Sequence, residues 1–198
     1  EFNNVDHIIM NEAEITLPNF LHDLMCGTPK TIYSTKEFAN LNDTPVPDYS
    51  LVDTSSYNTM NLQYTRGCPF NCEFCDITAL FGQRTRMKTV KQIILELEAI
   101  YKTGWRKNIF FVDDNFIGNK RKLKKELLPA IVGWMKGKNY PFTFSTEASI
   151  NLSDDKELLD LMVNAGFATV FIGIETIEED SLIECGKTQN RNRNVADS

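Results

Sequence analysis

The chain has 198 residues, enough for one ordinary domain, and 42% of them are hydrophobic, enough to build its core. A formal net charge of −6 argues against a general affinity for nucleic-acid backbones, so no nucleic-acid partner is expected. No signal peptide or membrane-spanning run is legible, and five cysteines without an export signal fit a reducing cytoplasm better than a disulfide framework.

Taken in chain order, a strand-like run, Val5 to Met10, leads to a helix-like segment, Leu17 to Cys26, with Gly27 as its stop signal. One strand and one helix cannot bury a core alone. Residues 1–28, which open on Glu1-Phe2 rather than Met, therefore read as the tail of a larger Rossmann-like α/β domain. Residues 29–60 lose periodicity, and Asp43, Pro45, Pro47 and Asp48 mark a turn-rich linker. A rhythm begins at residue 61. Asn61 to Arg66 alternates like a strand and runs into a cysteine-rich loop. Val90 to Lys102 repeats apolar residues at helical spacing, with Thr89 as N-cap and Gly104 as stop.

Asn108 to Val112 predicts a second strand, ending in Asp113, Asp114 and Asn115. A helix is expected over 120–136, kinked or broken at Pro129, and the basic run from Lys120 reads as its solvated face. Phe142 to Thr146 predicts a third strand. A helix capped by Ser153 and stopped by Gly166 follows, then a fourth strand, Ala168 to Ile172, and a short helix near 178–184. The last ten residues, Gln189 to Ser198, are polar and aperiodic and are expected to be disordered or cut mid-structure. Strands alternating with helices imply βαβ units and a parallel sheet, hence an α/β fold of four units over 61–198.

The sharpest chemical signal is Cys68-Pro-Phe-Asn-Cys72-Glu-Phe-Cys75, three of the five cysteines at spacings of four and three. Such thiolates can converge on one metal centre, and Pro69 and Asn71 suit a loop able to wrap around it. A structural zinc site needs four ligands, yet the only histidines are His7 and His22, and Cys26 and Cys185 lie far off. Four-iron clusters usually take four thiolates. Three would leave one iron open, and an open position marks a reactive site. A zinc site completed by Asp76 or a distant cysteine, a disulfide framework and chance buried thiols are the bland alternatives.

In parallel β/α folds, ligands gather at the C-terminal ends of the strands. Each strand end here carries polar chemistry: the three cysteines, then Asp113 to Asn115, then Glu147, then Gly173-Ile174-Glu175-Thr176. A single such acid is more often a cap, but repetition at equivalent places points to one shared site.

The cysteine spacing, with Phe74 before the last cysteine, resembles the cluster loop of radical S-adenosylmethionine (SAM) enzymes. The strings TRGCPFNCEFCDI, FFVDDNFIGN, TEASINL and VFIGIET are similar to the branch carrying a cobalamin-binding domain ahead of the radical SAM domain. The resemblance implies a partial (β/α) barrel with about four of six units present, truncated at its C-terminus, behind a remnant of the cobalamin-binding domain. It implies a [4Fe-4S] cluster on Cys68, Cys72 and Cys75, with SAM chelating the open iron. Asp113, Asp114 and Asn115 would meet the SAM amino group, Glu147 would contact the cofactor, and Glu175 would lie near the ribose. Lys187 would lie near the SAM carboxylate and Phe74 against the adenine.

The implied chemistry is reductive SAM cleavage to a 5′-deoxyadenosyl radical, for cobalamin-dependent methylation of an unactivated carbon in a small-molecule substrate. A ferredoxin or flavodoxin would supply the electron, and cobalamin would be a cofactor of the full-length protein. A radical SAM enzyme acting on tRNA or peptide is the alternative reaction, and a non-catalytic iron–sulfur or zinc protein the alternative class.

Overall fold

The structure, a computed structural model, describes residues 4–198 and divides into two compact units, Glu1–Thr44 and Pro45–Ser198. In the first, β1 (Ile8–Ile9), α1 (Ala13–Met25) and β2 (Ile32–Tyr33) form a β-α-β unit with parallel strands. The Ile8 and Met10 amides donate to Thr31 O and Tyr33 O, both at 2.8 Å. The buried Glu12 carboxylate accepts the Ala39 amide at 2.6 Å. These bonds draw residues 30–39 into the first unit, so the division falls at Thr44 rather than at residue 28. A two-residue strand is too short to show a period, which is why β2 reads as linker. α1 starts ahead of Leu17 and accommodates Pro18, forgoing one intrahelical donor.

The second unit contains β3 (Thr59–Leu62), β4 (Thr65–Arg66), α2 (Ile77–Phe81), β5 (Arg86–Met87) and α3 (Val90–Lys102). Then come β6 (Asn108–Phe111), α4 (Lys120–Lys122), α5 (Leu128–Gly137) and β7 (Thr143–Ala148). α6 (Lys156–Ala165), β8 (Phe167–Ile172) and α7 (Glu179–Glu184) complete it. Four strands pair in the order β3-β6-β7-β8, all parallel, as an open sheet. The α/β architecture is thus the expected one: a partial barrel of four strands.

Several elements depart from expectation for local reasons. The strand expected over Asn61–Arg66 is two pieces. β3 stops at Leu62, whose carbonyl takes the Val112 amide at 2.9 Å, and the chain then leaves the sheet. β4 pairs instead with β5, antiparallel, in a separate ribbon. The helix over 120–136 holds a widened π turn, Leu123–Leu127, directly before α5. Pro129 removes an amide donor there, and the wider turn absorbs the loss.

Thr89 does cap α3, in a capping box with Gln92. α6, however, is capped by Asp155, whose Oδ1 accepts the Leu158 amide at 3.1 Å, while Ser153 Oγ donates to Ile150 O. The tail is not disordered throughout. Asn190 is buried, and its Nδ2 donates to Gly173 O at 3.1 Å and Ile174 O at 2.9 Å, while Arg193 pairs with Asp154. Polar contacts of this kind leave no periodicity to read.

The core lies between sheet and helices. Phe111, Phe116, Phe144 and Phe167 form one aromatic group, with ring centroids 5.3 Å apart for Phe111–Phe116, 5.4 Å for Phe111–Phe144 and 5.0 Å for Phe116–Phe167. Ile93 and Leu97 of α3, Ile131 and Met135 of α5, and Leu158 and Met162 of α6 close over it. Burying such side chains stabilises by roughly 1.5–3 kcal/mol each, and this anchors β6 and β7, whose far ends carry the site. Among the described residues no helix is long and apolar enough to cross a membrane.

Candidate active site

Thr65-Arg66 of β4 delivers the chain into the cysteine loop, which ends at α2. Two acids from the end of β6 hold the entry. Asp113 is 1% exposed, and its Oδ1 accepts the amides of Tyr64, at 3.1 Å, and Thr65. Burial pushes its carboxyl up to about 7, against the opposing pull of those amides. Asp114 Oδ2 accepts the Gly67 amide at 2.6 Å. Burial raises its carboxyl too, while the Gly67 amide, Arg66 and Arg86 pull it down.

Gly67 itself has φ +94°, and a Cβ there would meet the carbonyl oxygens of Gly82, Arg84 and Phe81 at 2.9–3.1 Å. Only glycine fits so close an approach. The loop beyond is pinned by the Cys75 amide on Cys72 O at 3.1 Å, by Thr78 Oγ1 on Asn71 Oδ1 at 3.1 Å and by the Glu73 amide on Cys185 O at 2.9 Å.

The loop and the ends of β6, β7 and β8 surround one cavity of about 190 Å³. Nine of the ten residues singled out from the sequence line it: Cys68, Cys72, Cys75, Phe74, Asp114, Asn115, Glu147, Glu175 and Lys187. The tenth, Asp113, does not; it lies beneath the entry to the loop, occupied with backbone amides. Asn115 is buried, accepting the Ser149 amide at 3.2 Å and donating to Ser149 Oγ at 3.1 Å, so it ties the β6 end to the β7 end. The Glu147 carboxylate has no hydrogen-bond partner among the described residues, while its backbone pairs with Phe171 of β8. Glu175, with φ +62°, takes Lys187 Nζ at 2.7 Å, and that ammonium sits 5.5 Å from the Phe74 ring centroid. A non-glycine residue held at positive φ stores local strain of the kind found at ligand sites.

Sequence reasoning missed Phe70, Ser149, Phe171 and Gln189, which also line the cavity. Ser149 follows Glu147 within the quoted TEASINL string and was legible there. Gln189 was not, because it sits in the stretch read as an aperiodic tail.

All three loop cysteines are free and half-buried. Burial pushes the Cys68 thiol up; the Phe70 amide opposes this, and Cys72, Cys75 and Asp114 add to the rise. A cationic centre reverses that balance, because coordination deprotonates thiols outright. Among the described residues no three Cys, His, Asp or Glu side chains converge as around a single ion. A multi-iron cluster binds each thiolate through a different iron and so needs its sulfurs spread around one cavity. The donor set fits such a cluster.

The chain is thus a parallel β/α protein with a three-cysteine loop and polar groups gathered at its strand ends. Residues 62–197 match the family model described as the radical SAM superfamily. The chain belongs to that superfamily.

An uncharacterized methyltransferase of Synechocystis sp. is 47% identical over 193 residues, covering 98% of this chain and 36% of that protein. Hopanoid C-2 methylase of Rhodopseudomonas palustris is 37% identical, covering 94% of this chain and 36% of the methylase. The chain thus spans about a third of the length of these relatives. The fold is similar to that of the cobalamin-dependent S-adenosylmethionine radical enzyme OxsB, solved with aqua-cobalamin bound. The TM-score is 0.68 at 21% identity, over 91% of this chain and 30% of the other.

Proposed function

We propose that this chain carries the radical-generating core of a SAM-dependent enzyme that acts on a small-molecule substrate, with cobalamin-dependent methylation of an unactivated carbon as its reaction. The observation that carries the reading is the convergence of Cys68, Cys72 and Cys75 on one cavity with Asp114, Asn115, Glu147 and Glu175 from three neighbouring strand ends and with Lys187 from the turn after α7. When bound, a [4Fe-4S] cluster supplies the single electron, drawn from a donor such as ferredoxin or flavodoxin, that cleaves the SAM sulfonium to methionine and a 5′-deoxyadenosyl radical.

The chain's own residues bind and orient. Cys68, Cys72 and Cys75 would hold the cluster, and the polar groups of the strand ends would bind SAM beside it. Asp114 fixes the loop through Gly67 while presenting a carboxylate to the cavity. Glu147, whose carboxylate has no hydrogen-bond partner among the described residues, is available to the cofactor's cationic or hydroxyl groups. Lys187 and Glu175 neutralise each other until ligand groups compete for them, and Phe74 offers a face to a flat ring. The half-enclosed cavity limits water around reactive species. The methylation and its use of cobalamin rest on what the hopanoid methylase and OxsB are named for.

Anaerobic reconstitution with iron and sulfide, then dithionite and SAM, tests the reading. We expect 5′-deoxyadenosine from the wild-type protein and none from Cys72→Ala. Cleavage retained in that variant would show that Cys72 is no cluster ligand.

A further inference from the structure

Gln189 lies outside every motif that carried the reading above, yet its side-chain Nε2 donates to Cys72 Sγ at 3.6 Å. It comes from the 3-10 turn Thr188–Asn190, more than a hundred residues from the cysteine loop. That turn is held firmly. Asn190 is buried and bonds the backbone of Gly173 and Ile174, and Arg193 Nε donates to Gln189 O at 3.0 Å while its guanidinium pairs with Asp154. Gln189 lines the cavity, and its Oε1 is buried without a hydrogen-bond partner. An amide kept only to satisfy the fold would not leave its oxygen unmet. Among the described residues, the one polar bond its side chain makes is to sulfur.

We propose that Gln189 is a positioning and tuning residue for the cluster ligand Cys72. The inference rests on the cluster reading above. Its amide donates to the thiolate, fixes the orientation of that sulfur and withdraws electron density from it. Hydrogen bonds to cluster sulfurs are one of the levers that set reduction potential. A donor favours the more negative, reduced state, so this bond raises the potential and eases reduction.

Gln189→Leu removes the donor, and Gln189→Glu replaces it with a carboxylate of the same shape. Potentiometric titration of the anaerobically reconstituted protein, followed by electron paramagnetic resonance, reads the result. Gln189→Leu should move the one-electron equilibrium about tenfold towards the oxidised cluster, and Gln189→Glu further still. Variants that keep a native circular dichroism spectrum but lose the cluster would also support the proposal, since Cys72 is then no longer held. An unchanged potential in a variant with a full cluster overturns it. A wild-type protein that takes up no four-iron cluster overturns instead the reading of the site, which separates the two failures.

Discussion

The interior of the sheet and the rim at its strand ends are built from the same strands and obey different rules. Along β6 and β7, Phe111 and Phe144 are fully buried among other aromatic rings, and every contact is apolar and interchangeable in kind. A few residues further along, Asp113, Asp114 and Asn115 are polar and specific in their partners, and the Glu147 carboxylate is left for the cavity. There the structure tolerates what the interior does not: a positive φ at Glu175 and unmet polar atoms at Gln189 Oε1 and Asp113 Oδ2. Stability is concentrated in the interior and the proposed chemistry at the rim, so substitutions in the two should fail in different assays.

The largest expected effects set the two apart. Cys68→Ser should abolish cluster uptake, measured as iron and sulfide per chain, while moving the urea midpoint little because the residue is half-exposed. Phe144→Ala should do the reverse in kind. It leaves a cavity beside Phe111, Phe142 and Phe167 and costs about 3–5 kcal/mol in urea unfolding. Equal losses of stability in the two would break the comparison.

Gly67→Ala sits on the border and should damage both. The strained φ and the three carbonyls near its Cβ cost about 1–3 kcal/mol, and the displaced loop should lower cluster occupancy.

Asp113 sharpens the border from the other side. Its carboxyl is raised to about 7 by burial, so the folded protein binds that proton more tightly than the unfolded chain. The stability it contributes is full below about pH 4, the unfolded value, and is lost as pH rises through 7. Urea midpoints should therefore fall across that window, and Asp113→Asn should flatten the slope. Thr89→Ala, remote from the rim, should cost about 1 kcal/mol through its lost cap and leave cluster content untouched.

How much could be read beforehand follows the same division. The interior was legible through period: α3, β6, β7 and β8 lie close to where alternating and helical spacing put them. The rim was legible through residue identity, since thiols and acids repeated at each strand end stand out without any period. What escaped was fixed by single long-range hydrogen bonds. β2 is joined to β1 by two-residue pairing, the break after Leu62 is set by Val112 and Asp113, and Gln189 reaches Cys72 from a segment that looks like a tail. None of these leaves a pattern in composition or spacing. The single role expected for Asp113 to Asn115, meeting the SAM amino group, does not extend evenly over the three: Asp114 and Asn115 border the cavity, whereas Asp113 supports the backbone leading into it.

The central claim is that the three thiolates leave one iron open to SAM. The measurement that meets it most directly is electron paramagnetic resonance of the anaerobically reconstituted, dithionite-reduced protein, recorded with and without SAM. A four-iron signal whose g-values shift when SAM is added is expected, with the shift lost in Lys187→Ala or Glu147→Ala as affinity drops. One zinc held per chain, or a four-iron signal indifferent to saturating SAM, would contradict it.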